Sequence, residues 1–188
     1  ACKVTNDEDG IRYLESLKAA GVSHKGDMAS ADSMPTGKCL ILVTPDAKRT
    51  MTTSLSVSSF MDSQDLDLDE IANSKIFYVE GYMVTSDENY GCVLSVLEHL
   101  KNFPDVKIAL SLSDPGIVAG FIDKFKEIEA YGLDFIFGND DEFMMFVGAS
   151  NLDEAFDLLQ SKNYISVITM GEQGSAVISP NEVIKTPR

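Results

Sequence analysis

Apolar runs and helical stripes alternate along this chain, and the alternation predicts its elements. Ala1-Cys2-Lys3-Val4 reads as the end of a strand. Asn6-Asp7-Glu8-Asp9 then supply a cap and an acidic first turn, which suit the positive end of a helix dipole. Ile11, Leu14 and Leu17 recur at helical spacing, and Gly21 is placed to cap the helix C-terminus. Residues 23–37 are small, polar and broken by Gly and Pro, so they read as loop or a short edge strand. An apolar run over 38–44, turn chemistry in Pro45-Asp46-Ala47-Lys48 and an alternating run over 50–58 predict a β-hairpin.

From residue 62 the pattern becomes regular. An acidic helix over 67–73 precedes a strand over 75–79. A helix carrying Val93, Val96, Leu97 and Leu100 leads to a strand over 106–112. Asp114-Pro115 is a cap with proline at the first helical position. It opens one helix bearing Ile117, Val118, Phe121, Ile122 and Phe125. A strand over 133–137, a helix from Asn139, a helix over 152–160 and strands over 164–169 and 175–179 follow, with Val183-Ile184 starting another. Strands separated by helices imply right-handed βαβ crossovers and a parallel sheet.

In such sheets ligands bind beyond the carboxyl ends of the strands. The stretch Asp134-Phe135-Ile136-Phe137-Gly138-Asn139-Asp140-Asp141-Glu142 is therefore the first candidate site: an apolar strand, a glycine turn, then a polar helix start. Free N–H groups and the dipole at a helix N-terminus suit phosphate, and Asn139 and Glu142, three apart, can face one ligand. The same spacing is that of a capping box, whose side chains satisfy backbone donors. A second copy, Asn151-Leu152-Asp153-Glu154, has no apolar strand directly before it.

Composition narrows the partners. The 188 residues suit one ordinary domain with a sizeable core, and 44% hydrophobic content is that of a globular chain. Thirty acidic against fifteen basic residues give a formal charge of −15, which argues against nucleic acid and anionic membranes. An anionic small ligand stays open, because a local dipole or Mg²⁺ overrides the global field. Cys2, Cys39 and Cys92 show no metal-ligand spacing and read as reduced cysteines of a cytoplasmic protein. No apolar run reaches transmembrane length. No GxGxxG follows a strand, which sets a dinucleotide-binding domain aside.

Six blocks, in order, resemble the PfkB (ribokinase-like) family of sugar and nucleoside kinases. They are Thr36-Gly37-Lys38-Cys39; Asp46-Ala47-Lys48-Arg49-Thr50-Met51; Glu80-Gly81-Tyr82; Ser111-Leu112-Ser113-Asp114-Pro115; Phe137-Gly138-Asn139-Asp140-Asp141-Glu142; and Thr169-Met170-Gly171-Glu172-Gln173-Gly174. The resemblance implies an α/β, three-layer α/β/α ribokinase-like fold, present as one partial domain over 1–188, with a hairpin over about 36–58 in or near a substrate-covering lid. It implies ATP-dependent phosphorylation of a hydroxymethyl group on a sugar or nucleoside. Asn139 and Glu142 match the family's NxxE motif, which helps position Mg²⁺ and the nucleotide phosphates, Glu142 acting on the metal indirectly. Thr169, Gly171 and Gly174 match the TxGxxG turn that contacts ATP. Arg49 and Ser56, in the hairpin segment, are weaker candidates for substrate or lid contacts. Some relatives pair through their lid strands, so a homodimer is one expected arrangement. Thr36-Gly37 with Asp46 and Arg49-Thr50-Met51 leans towards adenosine-kinase-like members.

Departures from the family pattern limit the expectation. Ser56-Val57 stand where members often have Gly-Ala, and Ser111 where many have Asp or Asn. The Gly-rich N-terminal sugar-binding part and the Gly-Ala-Gly-Asp motif, whose Asp is the catalytic base, are missing. The only Gly-Asp pair, Gly26-Asp27, lies in a polar loop with no apolar strand before it. Both ends read as cut, no catalytic base is expected within these residues, and the chain alone is expected to be inactive. A competing expectation is a non-catalytic fragment or pseudoenzyme that keeps a nucleotide site.

Overall fold

The computed structural model describes residues 2–25, 28–30 and 32–188. Gly26 and Asp27 lie outside the described residues. The chain divides into two compact units, Ala1–Asp67 and Leu68–Arg188.

In the first unit, helix α1 (Glu8–Ala19) begins as its sequence requires, with Asp7 as N-cap accepting the Gly10 N–H at 2.8 Å. The same carboxylate accepts the Thr36 N–H at 2.9 Å and the Thr36 hydroxyl at 2.7 Å. Thr36 in turn accepts the Thr5 N–H at 3.0 Å, so one cap ties three segments together. Gly10 is needed for this closeness, because a Cβ there would lie 2.0 Å from the Thr5 carbonyl oxygen. Gly21, at φ +72°, follows the helix in the left-handed conformation, and the Val22 N–H closes back on Leu17 O at 2.9 Å. The Ile11, Leu14, Leu17 stripe forms a helix as predicted, but Ile11 is exposed and only Gly10 of this helix is buried. Among the described residues, the predicted opening strand is reduced to a parallel bridge between Thr5 and Ala29.

The hairpin is present. Strands β1 (Lys38–Val43) and β2 (Arg49–Ser54) pair antiparallel, with Lys38 opposite Ser54 and Val43 opposite Arg49. Every residue of both strands is exposed, Leu40 at 63% and Val43 at 66%. The second strand is shorter than its alternation predicted: pairing stops at Ser54, and Ser56–Ser59 form a 3₁₀ turn. Ser56 sits at φ +50° with its hydroxyl on Pro35 O at 2.5 Å, which turns the chain off the ladder.

The second unit holds the sheet. Helix α2 (Leu68–Ala72) leads into β3 (Ile76–Val79), α3 (Asp87–Leu100), β4 (Lys107–Ser111), α4 (Pro115–Gly120), α5 (Ile122–Ala130) and β5 (Phe135–Asn139). Helices α6 (Asp140–Val147) and α7 (Leu152–Gln160) and strands β6 (Ile165–Thr169), β7 (Ser175–Ile178) and β8 (Val183–Thr186) complete it. The strands lie in sequence order; β3 to β6 are parallel and β6 to β8 antiparallel. This is the expected α/β class. The helix predicted from Pro115 is broken at Phe121, whose φ of −131° is not helical, directly after Gly120.

Because crossovers are right-handed and the order never reverses, the helices gather on one side. On that side Val79, Leu110, Ile136, Ile168 and Ile178 are 2% exposed or less, and Phe125, Ile128, Phe143, Phe146 and Leu159 fill the helical layer. The other face is open and apolar, with Ile76, Tyr78, Phe137, Val177 and Ile184 exposed. Among the described residues, no helix is long and apolar enough to cross a membrane.

Candidate functional site

The carboxyl ends of β3 to β6 converge on one rim of the second unit. Strand β5 runs two residues further than the predicted 137, through Gly138 to Asn139, because Gly138 pairs with Ile168 and Asn139 with Thr169. Gly138 is thus a strand residue and not a turn. Its missing side chain leaves room for the site: a Cβ there would lie 2.8 Å from Glu142 Oε2 and 3.1 Å from a Leu112 methyl.

Asn139 ends the strand and caps α6. Its side-chain oxygen accepts the Glu142 N–H at 2.8 Å, and Glu142 Oε2 accepts the Asn139 N–H at 2.9 Å, a complete capping box. The Asn139 amide also donates to Glu142 Oε1 at 2.8 Å. The second copy differs. Asn151 caps α7 through the Glu154 N–H at 3.0 Å, but Glu154 bonds the Ser150 N–H at 2.7 Å, and both residues are exposed.

Glu142 is only 6% exposed, and burial raises its carboxyl above the usual carboxylate range. The Asn139 N–H opposes that rise, while the carboxylates of Asp114, Glu80 and Asp140 add to it. The Tyr82 hydroxyl is pushed up by burial and then by Asp114, Glu80 and Glu142. Acids from three strand ends therefore act on one region. Each Glu142 oxygen keeps a lone pair beyond its bond to Asn139, so the carboxylate fits a hydrated cation approaching from outside. Such a cation would relieve the repulsion among these acids.

Thr169, at the end of β6, stands beside Asn139. After it the chain enters a 3₁₀ turn, Gly171–Gln173. The two glycines of this turn are unlike. Gly171, at φ +55°, has open space where a Cβ would stand. Gly174, at φ +88°, presses on the chain itself, a Cβ there falling 2.1 Å from Thr186 O. Its small size serves the seam with β8, whereas the space beside Gly171 is open.

Asn139 and Thr169 thus end β5 and β6 side by side, Glu142 lies in the first turn of α6, and Gly171 and Gly174 lie in the turn between β6 and β7. Arg49 and Ser56 belong to the first unit, where Arg49 opens β2 exposed and Ser56 is held by Pro35 O.

Glu80 and Ser113 have no role that the sequence alone points to. Glu80, just past β3, accepts the Tyr78 hydroxyl at 3.2 Å and the Ser113 hydroxyl. Ser113 sits at φ +72°, uncommon for a residue with a side chain, and accepts the Gly81 N–H at 3.0 Å. A Cβ on Gly81 would meet Ser111 O at 2.5 Å. An acid directly after a parallel strand was the available signal. Asp114 accepts the N–H groups of Gly116 and Ile117 as the N-cap of α4, as its sequence predicted. Among the described residues, no group of three or more His, Cys, Asp or Glu is arranged to hold a metal by itself.

The model of the pfkB family of carbohydrate kinases matches residues 1–188. No curated protein matches. Among solved structures, the adenosine kinase from Sinorhizobium meliloti is 25% identical with a TM-score of 0.91, over 100% of this chain and 57% of that one. The Anopheles gambiae adenosine kinase in complex with P1,P4-di(adenosine-5) tetraphosphate is 22% identical with a TM-score of 0.82, over 99% of this chain and 59% of that one. A putative ribokinase II from E. coli, in complex with ATP and Mg²⁺, is 16% identical with a TM-score of 0.79, over 99% of this chain and 60% of that one. The chain thus spans less than two thirds of the length of these structures. Its six sequence blocks, its sheet and the match along its whole length agree, and the chain belongs to the pfkB carbohydrate kinase family.

Proposed function

We propose that this chain forms the nucleotide-handling part of an ATP-dependent kinase that phosphorylates a hydroxymethyl group on a sugar or nucleoside. The observation that carries the reading is the pairing of Asn139 with Thr169. It sets the start of α6 beside the turn at Gly171, on the rim where open α/β sheets take their ligands. The E. coli relative in complex with ATP and Mg²⁺ supports the choice of cofactors.

In this reading Asn139 orients the Glu142 carboxylate, and Glu142 would help to hold a magnesium ion. Bound Mg²⁺ supplies charge neutralisation at the phosphate oxygens. The Gly171 backbone lies against the nucleotide and the Thr169 hydroxyl donates towards phosphate. Gly174 supports the turn from behind. Catalysis of phosphoryl transfer is mostly positioning and electrostatic stabilisation. The proton of the acceptor hydroxyl needs a carboxylate within hydrogen-bond reach, and we assign that base to polypeptide outside these residues.

The two units form one PfkB domain in this reading, with the hairpin in or near a lid and Arg49 and Ser56 close to the acceptor. A two-stranded hairpin exposed on both faces is marginal by itself, which supports a lid that closes on substrate or pairs with a second copy. The acceptor is a small molecule, and the formal charge of −15 argues against nucleic acid and anionic membrane as partners. Among the described residues Cys2, Cys39 and Cys92 form no disulfide, and reduced thiols suit the cytoplasm.

The test is a MgATP titration and a sugar and nucleoside kinase panel on the product of the complete gene. Mg²⁺-dependent transfer to a hydroxymethyl group is expected. Nucleotide binding without transfer to any acceptor would replace the enzyme with a non-catalytic nucleotide-binding protein.

A further inference from the structure

We draw no further inference here: the strongest candidate, the open apolar sheet face formed by Tyr78, Ala109, Phe135 and Phe137, carries nothing because nothing in the structure shows what covers it.

Discussion

The Glu142 carboxylate accepts both the backbone N–H and the side-chain amide of Asn139, at 2.9 and 2.8 Å, while burial and neighbouring acids raise its affinity for a proton. A buried acid held charged against like charges is poised to gain from a cation. Glu142→Gln should therefore weaken MgATP binding in the complete protein while changing stability by no more than about 1 kcal/mol, the scale of one cap bond. Glu154→Gln weakens at most an exposed cap bond, since its amide oxygen still accepts the Ser150 N–H, and should leave nucleotide binding unchanged. Calorimetric titration of both variants gives an internal comparison, and equal effects on MgATP would sink the assignment of Glu142.

The two glycines after Thr169 should separate. A Cβ on Gly171 meets no neighbouring atom, so in Gly171→Val the overall fold should persist, with the strain of a branched residue at positive φ confined to the turn. Nucleotide affinity should fall at least tenfold, about 1.4 kcal/mol. Gly174→Ala puts a methyl against the Thr186 carbonyl and should destabilise the β7–β8 seam by about 1–3 kcal/mol. Hydrogen exchange at residues 183–186 and thermal melts report the seam. An unchanged MgATP titration for folded Gly171→Val would leave that turn purely structural.

Acid titration should act on the first unit through Asp7. The Thr36 hydroxyl, then the N–H groups of Thr36 and Gly10, then Lys38, lower its carboxyl from 3.8 to about 2. Its stabilising contribution is then complete above pH 3.8 and is lost as pH falls towards 2. The stability difference between wild type and Asp7→Asn should be constant near neutrality and shrink across that window in denaturant titrations. Glu142 works with the opposite sign: its raised pKa favours the folded state at low pH, and that contribution fades as pH rises through its folded value.

Gly10→Ala tests the packing beneath the same cap. A Cβ 2.0 Å from Thr5 O and 2.8 Å from Thr36 Oγ1 has backbone on one side and a fully bonded hydroxyl on the other. Despite the better helix propensity of alanine, the variant should lose about 1–3 kcal/mol. A melt at or above wild type would show that the α1 start can move aside.

The 188-residue chain by itself should not transfer phosphate, since Asp114 caps α4 and Glu142 is assigned to the metal, which leaves neither to take the acceptor proton. A kinase panel on the purified chain checks this. Robust Mg²⁺-dependent turnover would place a base among residues 1–188.

Local chemistry made much of this protein legible from sequence. Asp7 supplies the cap expected within Asn6-Asp7-Glu8-Asp9, Asp114 caps α4, and the two Asn-x-x-Glu stretches both cap helices, because a cap bond spans only two or three residues and depends little on the rest of the chain. The βαβ alternation likewise led to a parallel sheet, since a helix between strands leaves few other connections. The tertiary structure decided what depends on distant partners. The ladder to Ile168 and Thr169 carried β5 through Gly138, which sequence read as a turn. In the Ile11 stripe, Ile11 stayed exposed and Leu14 and Leu17 are only half-buried, because periodicity marks a face and not the burial of that face. Gly171 and Gly174 look alike in sequence, and only Thr186, brought alongside by β8, tells them apart. Glu80 and Ser113 are 33 residues apart and meet only because β3 and β4 lie side by side.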